Sequence, residues 1–99
     1  MNSEVFKIKQ MRRQLMTHLN ILYPSGASLD WLYRTVTPLD ETYDNGLFVK
    51  DIAYLKGKGY IRFADEPLGV ASFLAHVAIL TENGKDIADR TATDATLNI

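Results

Sequence analysis

The sequence predicts a mostly helical α+β domain, with three N-terminal helices, a β-hairpin and a short closing helix. Three observations carry this expectation. In residues 4–23, Ile8, Met11, Leu15, Leu19 and Leu22 recur at i, i+3, i+7, i+11 and i+14, one face of a helix. Residues 47–63 change period part-way. Phe48, Ile52 and Leu55 share a helical face, Gly57 and Gly59 stop the helix, and Tyr60, Ile61 and Phe63 have strand character. Residues 73–80 form a second apolar strand, and Thr81 follows as a helix cap.

The elements follow in order. Ser3 is placed to cap the first helix, and Val5, Met16 and Tyr23 widen its stripe. Tyr23-Pro24-Ser25-Gly26 ends it, because proline disfavours helix in the residue before it. A helix of about 20 residues spans roughly 30 Å, long for so small a domain, so one end is expected to project and pack on a second copy. Ala27 enters a very short strand. Ser28 caps a second helix over Leu29–Val36, with Leu29, Leu32 and Val36 inward and Trp31 off that stripe. Thr37-Pro38-Leu39-Asp40 predicts a turn or a short helix, with Thr37 as cap, Pro38 first and Asp40 facing back; Asn45-Gly46 ends it. The third helix is expected over residues 47–58. Residues 60–64 and 73–80 pair as a hairpin across a tip containing Pro67 and Gly69. The second strand is apolar on both faces apart from His76, so its outer face is expected to be covered, by a partner chain for instance. The last helix runs over residues 82–90 with Ile87 and Ala88 inward. Residues 1–92 are expected to make one domain and residues 93–99 a frayed tail.

The chain of 99 residues has no cysteine, which excludes disulfides, thiolate metal sites and a cysteine nucleophile. No apolar run reaches the roughly 18–20 residues of a membrane span, and the N-terminus lacks the apolar core of a signal peptide; a cytoplasmic protein is expected. The net charge of −1 argues against a strongly basic nucleic-acid binder, yet the charges are segregated. Lys7, Lys9, Arg12 and Arg13 face only Glu4 in residues 1–23, and Lys50, Lys56, Lys58 and Arg62 face only Asp51 in residues 50–62. Two basic segments can therefore converge on one surface, although solvated helix faces produce the same pattern.

Two local motifs carry a resemblance. Leu55-Lys-Gly-Lys-Gly-Tyr-Ile61 is similar to the leucine-x-x-x-glycine-tyrosine/leucine-isoleucine exit from the recognition helix of winged helix-turn-helix domains. Leu80-Thr-Glu-Asn-Gly84 is similar to the leucine-threonine-x-x-glycine with which many of these domains leave the last wing strand. With the order helix, short strand, helix, helix, hairpin, the chain resembles that family over residues 4–90, and its small bacterial and prophage-encoded members most. The resemblance implies a recognition helix in the major groove of DNA, with flanking groups on phosphates. Carried to this sequence, Lys50, Ala53, Tyr54 and Gly57 face DNA, Lys58 and Arg62 flank them, and Arg12 and Arg13 are further phosphate candidates. Two features depart from the family. Residues 37–46 are longer and more acidic than the tight turn of the DNA-binding versions. The wing tip carries Asp65 and Glu66 with no lysine or arginine, where phosphate would be repelled.

No catalytic or metal motif accompanies these features. His18 and His76 have no partner at metal-ligand spacing, and Gly57-Lys-Gly59 follows a helix and lacks the lysine-serine/threonine of a phosphate loop. Asp40-Glu41 and Asp65-Glu66 fit solvated turns better than acid-base catalysis. An enzyme, a cofactor and a small-molecule ligand are not expected. The first functional expectation is a DNA-binding transcription regulator acting on double-stranded DNA, homodimeric through the first helix or the last wing strand. The alternative is a winged-helix protein-interaction module, favoured by the near-neutral charge and acidic wing.

Overall fold

The computed structural model describes residues 3–39, 42–64 and 72–97. Within them the chain forms α1 (Ser3–Leu22), β1 (Ala27–Ser28), α2 (Leu29–Val36), α3 (Asn45–Gly57), β2 (Ile61–Phe63), β3 (Val77–Leu80) and α4 (Glu82–Ala88), with short 3-10 turns at Thr37–Leu39, Phe73–Ala75 and Ala95–Leu97. The fold is therefore α+β and mostly helical. The antiparallel sheet has the order β1-β3-β2, with Ile61 opposite Leu80, Arg62 opposite Ile79 and Phe63 opposite Ala78. Ile61, Phe63, Ala78 and Leu80 point to the helices, where Leu15, Leu19, Leu32, Phe48, Ile52 and Leu55 are fully buried. Arg62 stands on the opposite, outer face of the sheet.

Local caps explain most boundaries. The Ser28 side chain accepts the Trp31 N–H at 3.2 Å, as expected of a helix start. Asn45-Gly46 opens α3 instead of closing a preceding turn. Asp44 is extended (φ −125°), and its carboxylate accepts the Leu47 N–H at 2.9 Å, so the first-turn amides are satisfied and glycine is tolerated there. The strand expected over residues 73–80 begins only at Val77. Before it the chain coils into a 3-10 turn so that Phe73 meets Phe48 and Phe63 edge-on, ring centroids 6.4 Å apart in both pairs. Ile8, expected in the core, is 41% exposed and lines an open groove between α1 and α3, and Phe6 is 42% exposed. Trp31 is 45% exposed. Asp40 and the wing tip, residues 65–71, lie outside the described residues. Of the tail expected to fray, Ala95–Leu97 form a 3-10 turn with Leu97 fully buried.

α3 and α4 end in the same cap. After α3, the Gly59 N–H bonds the Lys56 carbonyl and the Tyr60 N–H the Leu55 carbonyl, each at 3.0 Å, with Gly59 at φ +79°. After α4, the Arg90 N–H bonds Ile87 at 3.1 Å and the Thr91 N–H bonds Asp86 at 2.9 Å, but here the left-handed position (φ +62°) is held by arginine. Thr81 joins the turn after α3 to the start of α4: its N–H donates to the Tyr60 carbonyl at 3.0 Å and its side chain accepts the Gly84 N–H at 3.1 Å. Gly84 lies so close that a Cβ there would run into the Tyr60 carbonyl. The caps predict opposite outcomes for opposite substitutions. Arg90→Gly should raise the unfolding free energy by roughly 1 kcal/mol and Gly59→Ala should lower it by roughly the same amount, both read from urea melts.

Candidate nucleic-acid interface

α3 divides into three strips. Phe48, Ile52 and Leu55 face the core. Lys50, Ala53 and Gly57 face solvent, and all three are exposed, as are Val49 and Lys56 beside them. Asp51, Tyr54 and Lys58 occupy the third strip, turned toward α1 and the C-terminal turn. Each of these three is engaged inside the molecule.

Asp51 is 5% exposed. Its carboxylate accepts the Tyr43 hydroxyl at 2.7 Å and the Arg12 Nε at 3.4 Å. Burial pushes the Asp51 carboxyl above its ordinary value, and the Tyr43 hydrogen bond and the Arg12 charge offset part of that rise. Burial, and then the bond to Asp51, push the Tyr43 hydroxyl upward, so it stays protonated and keeps donating. The Arg12 guanidinium also covers the Tyr54 ring, 3.6 Å from its centroid, and reaches the Thr96 carbonyl at 3.4 Å. Arg12 thus joins α1, α3 and the C-terminal turn.

Asp94 is the second anchor. It accepts Tyr60 at 2.6 Å, the Thr96 hydroxyl at 2.6 Å, the Thr96 N–H at 2.9 Å and the Lys58 ammonium at 3.1 Å, and the Tyr54 hydroxyl donates to Thr96. Burial works against the Asp94 charge, but the bonds from Thr96, Tyr60 and Lys58 outweigh it and hold the carboxyl well below the usual carboxylate range. The same pairing raises Lys58. Burial, followed by the Asp94 bond, pushes Tyr60 up to about 12.

The structure therefore separates the residues that the sequence groups together. Lys50, Ala53 and Gly57 form one exposed lane. Tyr54 is half-buried against Arg12 and Thr96, and Lys58, although exposed, is paired with Asp94 of the C-terminal turn. Arg62 is exposed on the sheet, away from that lane, and Arg12 is consumed by Asp51. Arg13 is half-buried on α1. The Asp51 and Asp94 anchors were missed by sequence reasoning, although each leaves a trace. Asp51 sits three residues after Phe48, on the edge of the buried face, where a charge needs a partner. Thr93-Asp94-Ala95-Thr96 has the composition of an aspartate-initiated turn. Comparison of the chain with family models, curated proteins and solved structures returned no match.

Asp94 gives a pH signature. Its folded-state value lies below the ordinary 3.8, so its stabilisation is present above that pH and is lost as pH falls toward the depressed folded value. Asp94→Asn should be less stable than the parent by about 1–2 kcal/mol at pH 7, and chemical denaturation should show that gap shrinking between pH 4 and about pH 2.

Proposed function

We propose that this chain is a winged-helix domain that binds double-stranded DNA through the exposed lane of α3, acting as a small transcription regulator of the bacterial or prophage type. One observation carries the reading. From Asn45 to Phe63 all four cations, Lys50, Lys56, Lys58 and Arg62, reach the surface, while the only carboxylate, Asp51, is buried against Arg12. With Lys58 paired to Asp94, the open positive charge of this stretch centres on Lys50 and Arg62. Ala53 and Gly57 keep the middle of the lane low, which suits close approach of a groove, with Lys50 on base edges or phosphate and Arg62 as a flanking phosphate contact. The element order and the β1-β3-β2 sheet support the winged-helix part.

The alternative, a winged-helix protein-interaction module, draws on the exposed apolar residues Phe6, Ile8, Leu47 and Val49. Phe6 and Ile8 are also the contacts that a homodimer through α1 would use. Both edges of β3 are taken by β1 and β2, so a second copy could meet that strand only through its half-buried outer residues, Val77 and Ile79.

The test is anisotropy of a labelled random-sequence duplex across a salt series. Binding should weaken steeply as salt rises. Lys50→Ala should lower affinity roughly fivefold and reduce the logarithmic salt slope by about 1, while Lys85→Ala on α4 leaves both unchanged. Asp94→Asn, which frees Lys58 and removes a negative charge, should tighten binding. Absence of binding at low salt would reject the DNA reading in favour of the interaction module.

A further inference from the structure

We infer that the groove between α1 and α3 binds a small carboxylate with an apolar body, of the size of a medium-chain alkanoate or an aryl acid. The sequence alone gives no expectation of such a ligand, because the groove's residues come from positions some 40 apart in the chain. The groove has a volume of about 400 Å³, within the roughly 300–1,000 Å³ typical of small-molecule sites. Its apolar lining is Ile8, Met11 and Leu47, and Ile8 and Leu47 remain 41% and 36% exposed, so apolar surface is left for an occupant to cover. Lys7 on α1 and Lys50 on α3 also line it, and neither forms an ion pair among the described residues.

The other charges in the wall cancel. Arg12 is held by Asp51, and the second Asp51 oxygen is taken by Tyr43. Among the described residues, what remains is two ammonium groups without an ion-pair partner beside an apolar floor. A cation would be repelled, and a neutral apolar molecule would leave both charges unanswered. A second copy of α1 would bring its own Lys7 and Lys9 against Lys7 and Lys50. An anionic head on an apolar body satisfies both features at once.

This inference does not depend on the DNA reading, and its test contains no DNA. The chain has three methionines. Met11 lines the groove, whereas Met16 is fully buried in the core and serves as the internal reference. The full chain labelled with methyl-13C methionine is titrated with octanoate and, separately, with octylammonium. Octanoate should shift the Met11 methyl saturably and leave Met16 nearly still, and octylammonium should not. The exposed double variant Lys7→Gln/Lys50→Gln should keep the folded methyl spectrum and bind octanoate roughly fivefold more weakly. A Met11 signal unmoved by millimolar octanoate, equal binding of octylammonium, or unchanged affinity in the double variant would overturn the inference. A Met11 shift caused by an acidic amphipathic peptide but not by octanoate would do so as well, assigning the groove to a protein partner.

Discussion

Asp51 is a carboxylate on the protein-facing edge of α3, and the position of that helix depends on how its charge is answered. A buried carboxylate is costly unless it is paired and fully hydrogen-bonded. Arg12 reaches it from α1 and Tyr43 from the segment that leads into α3. α1 and α3 share one apolar core, and this cluster adds a polar tie between them. The cost of removing one partner exceeds the net worth of the cluster, because the charge would stay behind unanswered. The same pairing determines the surface: with Asp51 neutralised inside, α3 presents cations outside.

The C-terminal turn completes the arrangement. The chain reverses at Arg90 and returns across one flank of α3, where Asp94 gathers Tyr60, Lys58 and Thr96, and Leu97 enters the core. Two consequences follow. One flank of α3 is closed by the protein's own residues. The opposite lane, Lys50, Ala53 and Gly57, stays open, and Lys50 also stands at the mouth of the groove toward α1. A single lysine thus borders both surfaces, so an anion held in the groove would reduce the positive charge of the lane.

What the sequence discloses here is what period and local caps encode. The stripe of α1, the inward faces of α2 and α3, the Ser28 and Thr81 caps and the stop at Gly59 are each set by neighbours within a turn or two. The sites of departure are set by distant partners. Phe73 leaves its strand because Phe48 and Phe63 offer it an aromatic pocket. Asn45-Gly46 is a turn signal by composition, yet Asp44 converts it to a helix start. Lys58 and Tyr54 lie correctly on the outward half of a helical wheel, but a wheel cannot show that residues nearly 40 positions later will bind them. Of the six residues assigned to DNA on α3 and β2, the structure leaves Lys50, Ala53 and Gly57 together, and it sets Arg62 on another face.

We propose that the open lane of α3 is the surface that meets DNA. It is tested most directly by backbone amide spectra of the 15N-labelled chain, recorded with increasing amounts of an unlabelled duplex at low salt. The amides of Lys50, Ala53 and Gly57 should shift or broaden first, with Arg62 following and α4 unaffected. Perturbations confined to α4, or to Phe6, Ile8 and Leu47, or none at all, would contradict it.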